Sequence, residues 1–133
     1  MHNVKNVQND LIIKKMKYKK AIWISYDFGL KGDYTGLFTW LDNQRAVECG
    51  SGLAFFRYEY EGLNSITDTR ELIIKITSEI KEYVKLSKSD RVYLIWRDDV
   101  SKKTKGEFIN GNRKQSPWEG YGKLKENNDI DSE

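Results

Sequence analysis

The stretch AIWISYDFGLKGDYTGLF, residues 21–38, decides how the rest of the chain is read. Ile22, Ile24 and Tyr26 alternate with Ala21, Trp23 and Ser25, the period of two that sends successive side chains to opposite faces of a sheet. Isoleucine and aromatic side chains suit a pleated, half-buried surface, so the run predicts a strand. Asp27 ends it, Gly29 and Gly32 let the chain turn, and Asp33 stands where a helix N-cap belongs. From there Tyr34, Leu37, Phe38 and Leu41 fall at i, i+3, i+4 and i+7, which predicts a helix with those four on its inner stripe. The passage reads as strand, turn and helix, with an aspartate displayed where the strand stops.

Working outward, Arg45–Cys49 and Leu53–Tyr60 predict two more strands joined by the permissive loop Gly50-Ser51-Gly52. Thr67 or Asp68 can cap a second helix, with Glu71 in a capping-box role and Leu72, Ile73, Ile76, Ile80, Tyr83 and Val84 on its inner face. Asp90–Trp96 predicts a fourth strand. The order βαββαβ is that of an α+β, ferredoxin-like fold: a four-stranded antiparallel sheet with two helices on one face. Past Asp99, SKKTKG reads as a turn and GEFING as a short additional strand. The expected organisation is a flexible basic leader (1–19), a ferredoxin-like domain (20–99), a basic and aromatic extension (100–125) and a disordered acidic tail (126–133).

A chain of 133 residues suits one domain, which at this size buries roughly two-thirds of its unfolded surface. Cys49 and His2 are the only cysteine and histidine, so no internal disulfide, no Cys/His zinc site and no histidine-activated nucleophile can be assembled. No apolar run reaches the about 20 residues of a membrane span, and the N-terminus lacks a signal-peptide pattern, so a cytoplasmic protein with no membrane partner is expected. The net charge of +3 hides a changing sign: residues 1–20 and 102–125 are basic, whereas 21–101 and the last eight residues are acidic. Any polyanion is expected to favour the flanks.

Strand alternation also tests the side of the sheet that the helices leave open. With Ile22 and Ile24 turned toward the helices, Trp23, Ser25 and Asp27 turn away, as do Leu53, Phe55 and Arg57 on strand three and Tyr93 and Ile95 on strand four. Both sides are apolar, and the open one carries a larger patch than a monomer usually shows. Three covers are open: a second copy packed sheet to sheet, giving a homodimer; the C-terminal segment with Phe108, Ile109, Trp118 and Tyr121; or stacked nucleic-acid bases.

The strand ending ISYDFG, in a small chain with this element order, resembles the small CRISPR-associated adaptation-subunit family and its virulence-associated protein D relatives over residues 20–99. The resemblance implies a ferredoxin-like homodimer and, for some members, a metal-dependent nuclease whose strand-one aspartate, here Asp27, is the metal-linked catalytic residue. Mg2+ takes one or two carboxylates together with waters and phosphate oxygens. Strand three is expected to run parallel beside strand one, which would bring Glu59 or Glu61 to the same edge as Asp27; Asp33 is a further ligand candidate, and Asp98 and Asp99 should emerge at the opposite edge. The competing reading is an aspartate that merely ends a strand.

Two binding modules compete with an enzyme. SGLAFFRY, residues 51–58, matches the third-strand signature of the RNA-recognition motif at Gly52, Ala54, Phe55 and Tyr58, with Trp23 at the stacking position of strand one. Ser51 and Leu53 depart from that signature, and the acidic middle of the chain weighs against phosphate binding. The extension interleaves Lys102, Lys103, Lys105, Arg113 and Lys114 with Phe108, Trp118 and Tyr121, a mixture suited to phosphates and bases or to a docking arm. The other class is a non-catalytic factor that binds a protein partner, of immunity, inhibitor or antitoxin type.

Overall fold

The computed structural model of the protein describes residues 16–62 and 69–122. Its elements are β1 (Met16–Asp27), α1 (Tyr34–Asn43), β2 (Val47–Gly50), β3 (Leu53–Gly62), α2 (Thr69–Tyr83), β4 (Arg91–Arg97) and β5 (Thr104–Asn110). This is an α+β fold with one open, wholly antiparallel sheet in the order β2-β3-β1-β4-β5. The expected four-stranded layout is corrected to five, because the extension pairs with β4 through Tyr93 opposite Phe108 and Ile95 opposite Gly106.

Alternation along each strand decides what is buried. Ile22 and Ile24 of β1, Ala54, Phe56 and Tyr58 of β3, and Val92, Leu94 and Trp96 of β4 share one cluster with the inner residues of both helices. Both helices therefore cover the same sheet face. Phe56 and Trp40 meet edge to face with ring centroids 5.1 Å apart, a favoured aromatic geometry. That contact sets the rotation of α1, whose buried residues are Leu37, Trp40 and Leu41, while Tyr34 and Phe38 of the expected stripe are exposed. On α2 the expected inner face holds for Leu72, Ile73, Ile76 and Ile80; Val84 just beyond it is buried, but Tyr83 points outward.

Asp33 is the N-cap of α1, accepting from the Gly36 amide at 3.0 Å, and its other oxygen accepts from the Lys85 amide just beyond α2. One carboxylate thus ties the start of one helix to the end of the other. The caps expected at Thr67 and Asp68 lie outside the described residues, as do residues 1–15 and the acidic tail.

The basic leader is corrected where it is described. Residues 16–19 belong to β1, and Tyr18 and Lys19 pair with Tyr60 and Glu59 of β3. Lys20 is buried, with its Nζ 2.8 Å from Asp99 Oδ2. Lysines alternating with Tyr18 satisfy a strand period, and the pairing partner on β3 supplies the acids that a linear charge count cannot place beside them. Among the described residues no helix is long and apolar enough to cross a membrane.

Candidate functional site

The sheet face turned away from the helices carries the odd-numbered residues of β1, β3 and β4. Across its middle, Val47, Phe55, Trp23, Ile95 and Gly106 lie in one row from β2 to β5. The next row places Leu53, Ser25, Tyr93 and Phe108 side by side. Trp23 and Phe55 touch, with ring centroids 4.8 Å apart at 51°, and Tyr93 meets Phe108 edge-on at 4.7 Å. Trp23 retains 39 % of its surface exposed, and Phe55, Tyr93, Ile95 and Phe108 are half-buried. The five strands span about 19 Å at the usual interstrand spacing.

Arginines rim this apolar band. Arg57 lies on β3 beside Phe55, its guanidinium 5.2 Å from the ring centre. Arg91 and Arg97 flank Tyr93 and Ile95 on β4, and Arg113 reaches back after β5 to within 5.9 Å of the Phe108 ring. Asp27 is the acid that meets them: Arg91 Nη2 donates to Asp27 Oδ2 at 2.7 Å, across the register that ends β1 and begins β4. The backbone carbonyl of Gly52 fixes the same strand end from the other side by accepting from the Tyr26 amide.

Several of the acids that make residues 21–101 net negative are engaged elsewhere, whereas Glu59 and Glu61 stay at outward positions of β3 opposite Lys19 and Lys17. Asp98 is buried, accepting from the Ser101 amide and the Thr69 hydroxyl at 2.9 Å each. Asp90 is buried too and accepts from the amides of Gly29 and Ser87. The Ser101 hydroxyl and amide, followed by the Thr69 hydroxyl, hold the Asp98 carboxyl well below the ordinary carboxylate range. The Lys85 amide, then that of Gly36, lower Asp33 in the same way. Glu48 lies opposite Ala54, whose side chain belongs to the helix-covered side, and Glu107 pairs with Arg70.

The expected grouping of carboxylates around Asp27 is corrected. β3 runs antiparallel to β1, so Glu59 lies opposite Lys19 and Glu61 opposite Lys17, eight and ten residues along the strand from Asp27. At the rise of an extended chain that separates Glu59 from Asp27 by about 26 Å. Asp33 spends both oxygens on backbone amides. Asp98 and Asp99 do emerge at the opposite edge, where Asp99 meets Lys20. Among the described residues no three His, Cys, Asp or Glu side chains gather where they could hold a metal ion.

The residues expected at a nucleic-acid surface divide. Trp23, Phe55 and Arg113 come together on the open face. Lys102 and Lys103 occupy the turn between β4 and β5, and Lys105 lies opposite the inward-facing Trp96, 3.6 Å from Asp98. Lys114 and Trp118 follow β5 and are exposed; Trp118 and Tyr121, at 72 % and 70 %, do not cover the patch. Sequence reasoning missed Arg91, Arg97, Tyr93 and Phe108 as one constellation with Arg57. The period-two rule that put Trp23 outward selects Arg91, Tyr93, Ile95 and Arg97 equally well.

Comparison of the chain with protein-family models, curated proteins and solved structures finds no match. The site is read from its own chemistry.

Proposed function

We propose that the protein binds single-stranded nucleic acid on the open face of its sheet. The fold is taken as a ferredoxin-like βαββαβ unit, β2-β3-β1-β4, with β5 added outside β4, and the face is used as RNA-recognition motifs use theirs. The observation that carries this reading is the contacting pair Trp23–Phe55 on a sheet surface that no element of the described residues covers, with Arg57 against Phe55 and Arg91, Arg97 and Arg113 around the rim. Aromatic faces stack bases whatever their sequence, at about 1–3 kcal/mol per base, and guanidinium groups bind phosphates in bidentate fashion. Unpaired bases are required, because a duplex keeps its faces stacked.

Charge favours this occupant over a second copy. A sheet-to-sheet homodimer would bring Arg57, Arg91, Arg97 and Arg113 of both copies toward one another, and the acids of the same face are already matched, Asp27 by Arg91 and Glu59 by Lys19. A polyanion relieves that repulsion. The acidic middle of the chain opposes it less than its sum implies, since Asp33, Asp90 and Asp98 bind loop and helix groups away from the face and Glu59 is matched by Lys19.

The test is fluorescence anisotropy with labelled mixed-sequence RNA and DNA decamers, single-stranded and duplex, across a salt series. Preferential binding of single strands is expected, with a logarithmic salt slope of about −2 if Arg57, Arg97 and Arg113 meet phosphates. Equal affinity for duplexes, or affinity indifferent to salt, contradicts the proposal. So does a homodimer in sedimentation that Trp23→Ala dissociates, for the face then belongs to the second copy.

A further inference from the structure

We propose that the depression at the Asp27 end of this face is a base-reading subsite that prefers guanine, an inference that rests on the face binding single strands. The depression has a volume of about 330 Å3, and Tyr93, Ile95 and Phe108 form its apolar part. Ser25, Asp27 and Arg91 make its polar side, and Arg113 closes it near Phe108.

Two glycines shape it. A Cβ on Gly106 would stand 2.3 Å from the Tyr93 hydroxyl, so only glycine lets the Tyr93 ring lie over β5. Gly111 has φ +79° and passes so close to Asp90 that a Cβ would sit 2.7 Å from its carbonyl oxygen. Asn110 fastens the same crossing by donating to the carbonyls of Ser87 and Asp90 at 3.0 and 2.7 Å. The segment carrying Arg113 therefore leaves β5 in a fixed direction.

The polar side presents a donor beside an acceptor. Arg91 binds one oxygen of Asp27, leaving Oδ1 for a ligand, and Asp27 is more than half exposed. The other nitrogens of Arg91 remain on offer or unspent; its Nε is buried without an acceptor among the described residues. The Watson–Crick edge of guanine carries the O6 acceptor next to two donors, N1–H and the N2 amino group. A carboxylate accepts from both donors, here with Oδ1 and the remaining lone pair of Oδ2, while the neighbouring guanidinium donates to O6. Adenine, cytosine and uracil each place a single donor group beside an acceptor on that edge and leave part of the carboxylate unsatisfied. The rings of Tyr93 and Phe108 hold any base; the ion pair chooses among them.

The experiment measures dissociation constants for uridine octamers in which one central position is guanosine, adenosine, cytidine or uridine. Guanosine is expected to tighten binding by roughly tenfold to a hundredfold, the discrimination of a good bidentate base contact. Asp27→Asn, which replaces one acceptor oxygen by a donor, should bring the guanosine-to-uridine ratio to about one, whereas Trp23→Ala should weaken all four octamers and keep the ratio. Should Asp27→Asn fail to fold, Arg91→Lys, which keeps the charge but loses the fork of donors, should also reduce the ratio. Octamers that bind in a Trp23-dependent way without a guanosine preference, or a preference that survives Asp27→Asn, overturn this inference and leave the face intact. Absence of binding by every octamer overturns both.

Discussion

The two faces of the sheet are built from the same strands, one residue out of step. On one side Ile22, Ile24, Phe56 and Leu94 are 2 % exposed or less beneath two helices. On the other, Trp23, Phe55, Tyr93 and Ile95 are as apolar but no element of the described residues covers them, and arginines stand where the first face has helix side chains. Hydrophobicity does not separate the two faces; cover and charge do. A core face stabilises the fold by removing apolar surface from water, whereas under the proposed function an arginine-rimmed aromatic face keeps that gain for a ligand that brings negative charge.

The sharpest way to break this comparison is to truncate one residue from each face. Phe56→Ala removes a fully enclosed ring from its contact with Trp40, and chemical denaturation should show a loss of about 3–5 kcal/mol. Phe55→Ala, its neighbour, should lose only about 1 kcal/mol, since the ring is only partly buried. Equal losses would mean that the open face is core. Next in size, Trp23→Ala should weaken single-strand binding by about 1–3 kcal/mol, read by anisotropy, with the unfolding midpoint little changed. Arg97→Ala should act more mildly, lowering affinity evenly across sequences and making the salt slope shallower by about 0.7.

The smallest expected effect separates the acids that build the fold from the face itself. Asp98 is held below its ordinary range by Ser101 and then Thr69, so its contribution to stability is fully present above the unfolded carboxylate value. It is lost as pH falls through the lower folded value. Asp98→Asn should therefore destabilise the protein at neutral pH and flatten the fall of thermal stability on acidification. Its effect on single-strand binding at neutral pH should be slight, because Asp98 faces Thr69 and Ser101 and not the open surface.

Much of this arrangement was legible in the alternation of residues 21–26, 53–60 and 90–96, which assigned inward and outward side chains correctly because a strand has one period and one hand of choice. Direction was misapplied. The expected antiparallel sheet already returns β3 alongside β1 in the opposite sense, yet Glu59 and Glu61 were placed as if the two strands ran parallel, and the true sense moves both carboxylates to the far end from Asp27. The rotation of α1 was lost for a different reason: Trp40 and Phe38 both fit a helical stripe with Leu37 and Leu41, and only the position of Phe56 selects Trp40. Charge counting misled most. Summed along the chain, residues 21–101 are acidic, yet acids there are spent on Gly29, Gly36, Lys85 and Ser101 amides while Arg57, Arg91 and Arg97 share one surface with Trp23.

Asp27, the residue on which the opening stretch turned, ends β1 against Arg91 and belongs to the rim of that surface. The most direct test of the account is the double variant Trp23→Ala/Phe55→Ala, with affinity for a single-stranded decamer and thermal unfolding measured on the same preparation. The account predicts that binding falls by at least about tenfold while the fold persists, two stacking platforms being lost from a face that no described element covers. Binding at the parental affinity by a folded double variant would contradict it.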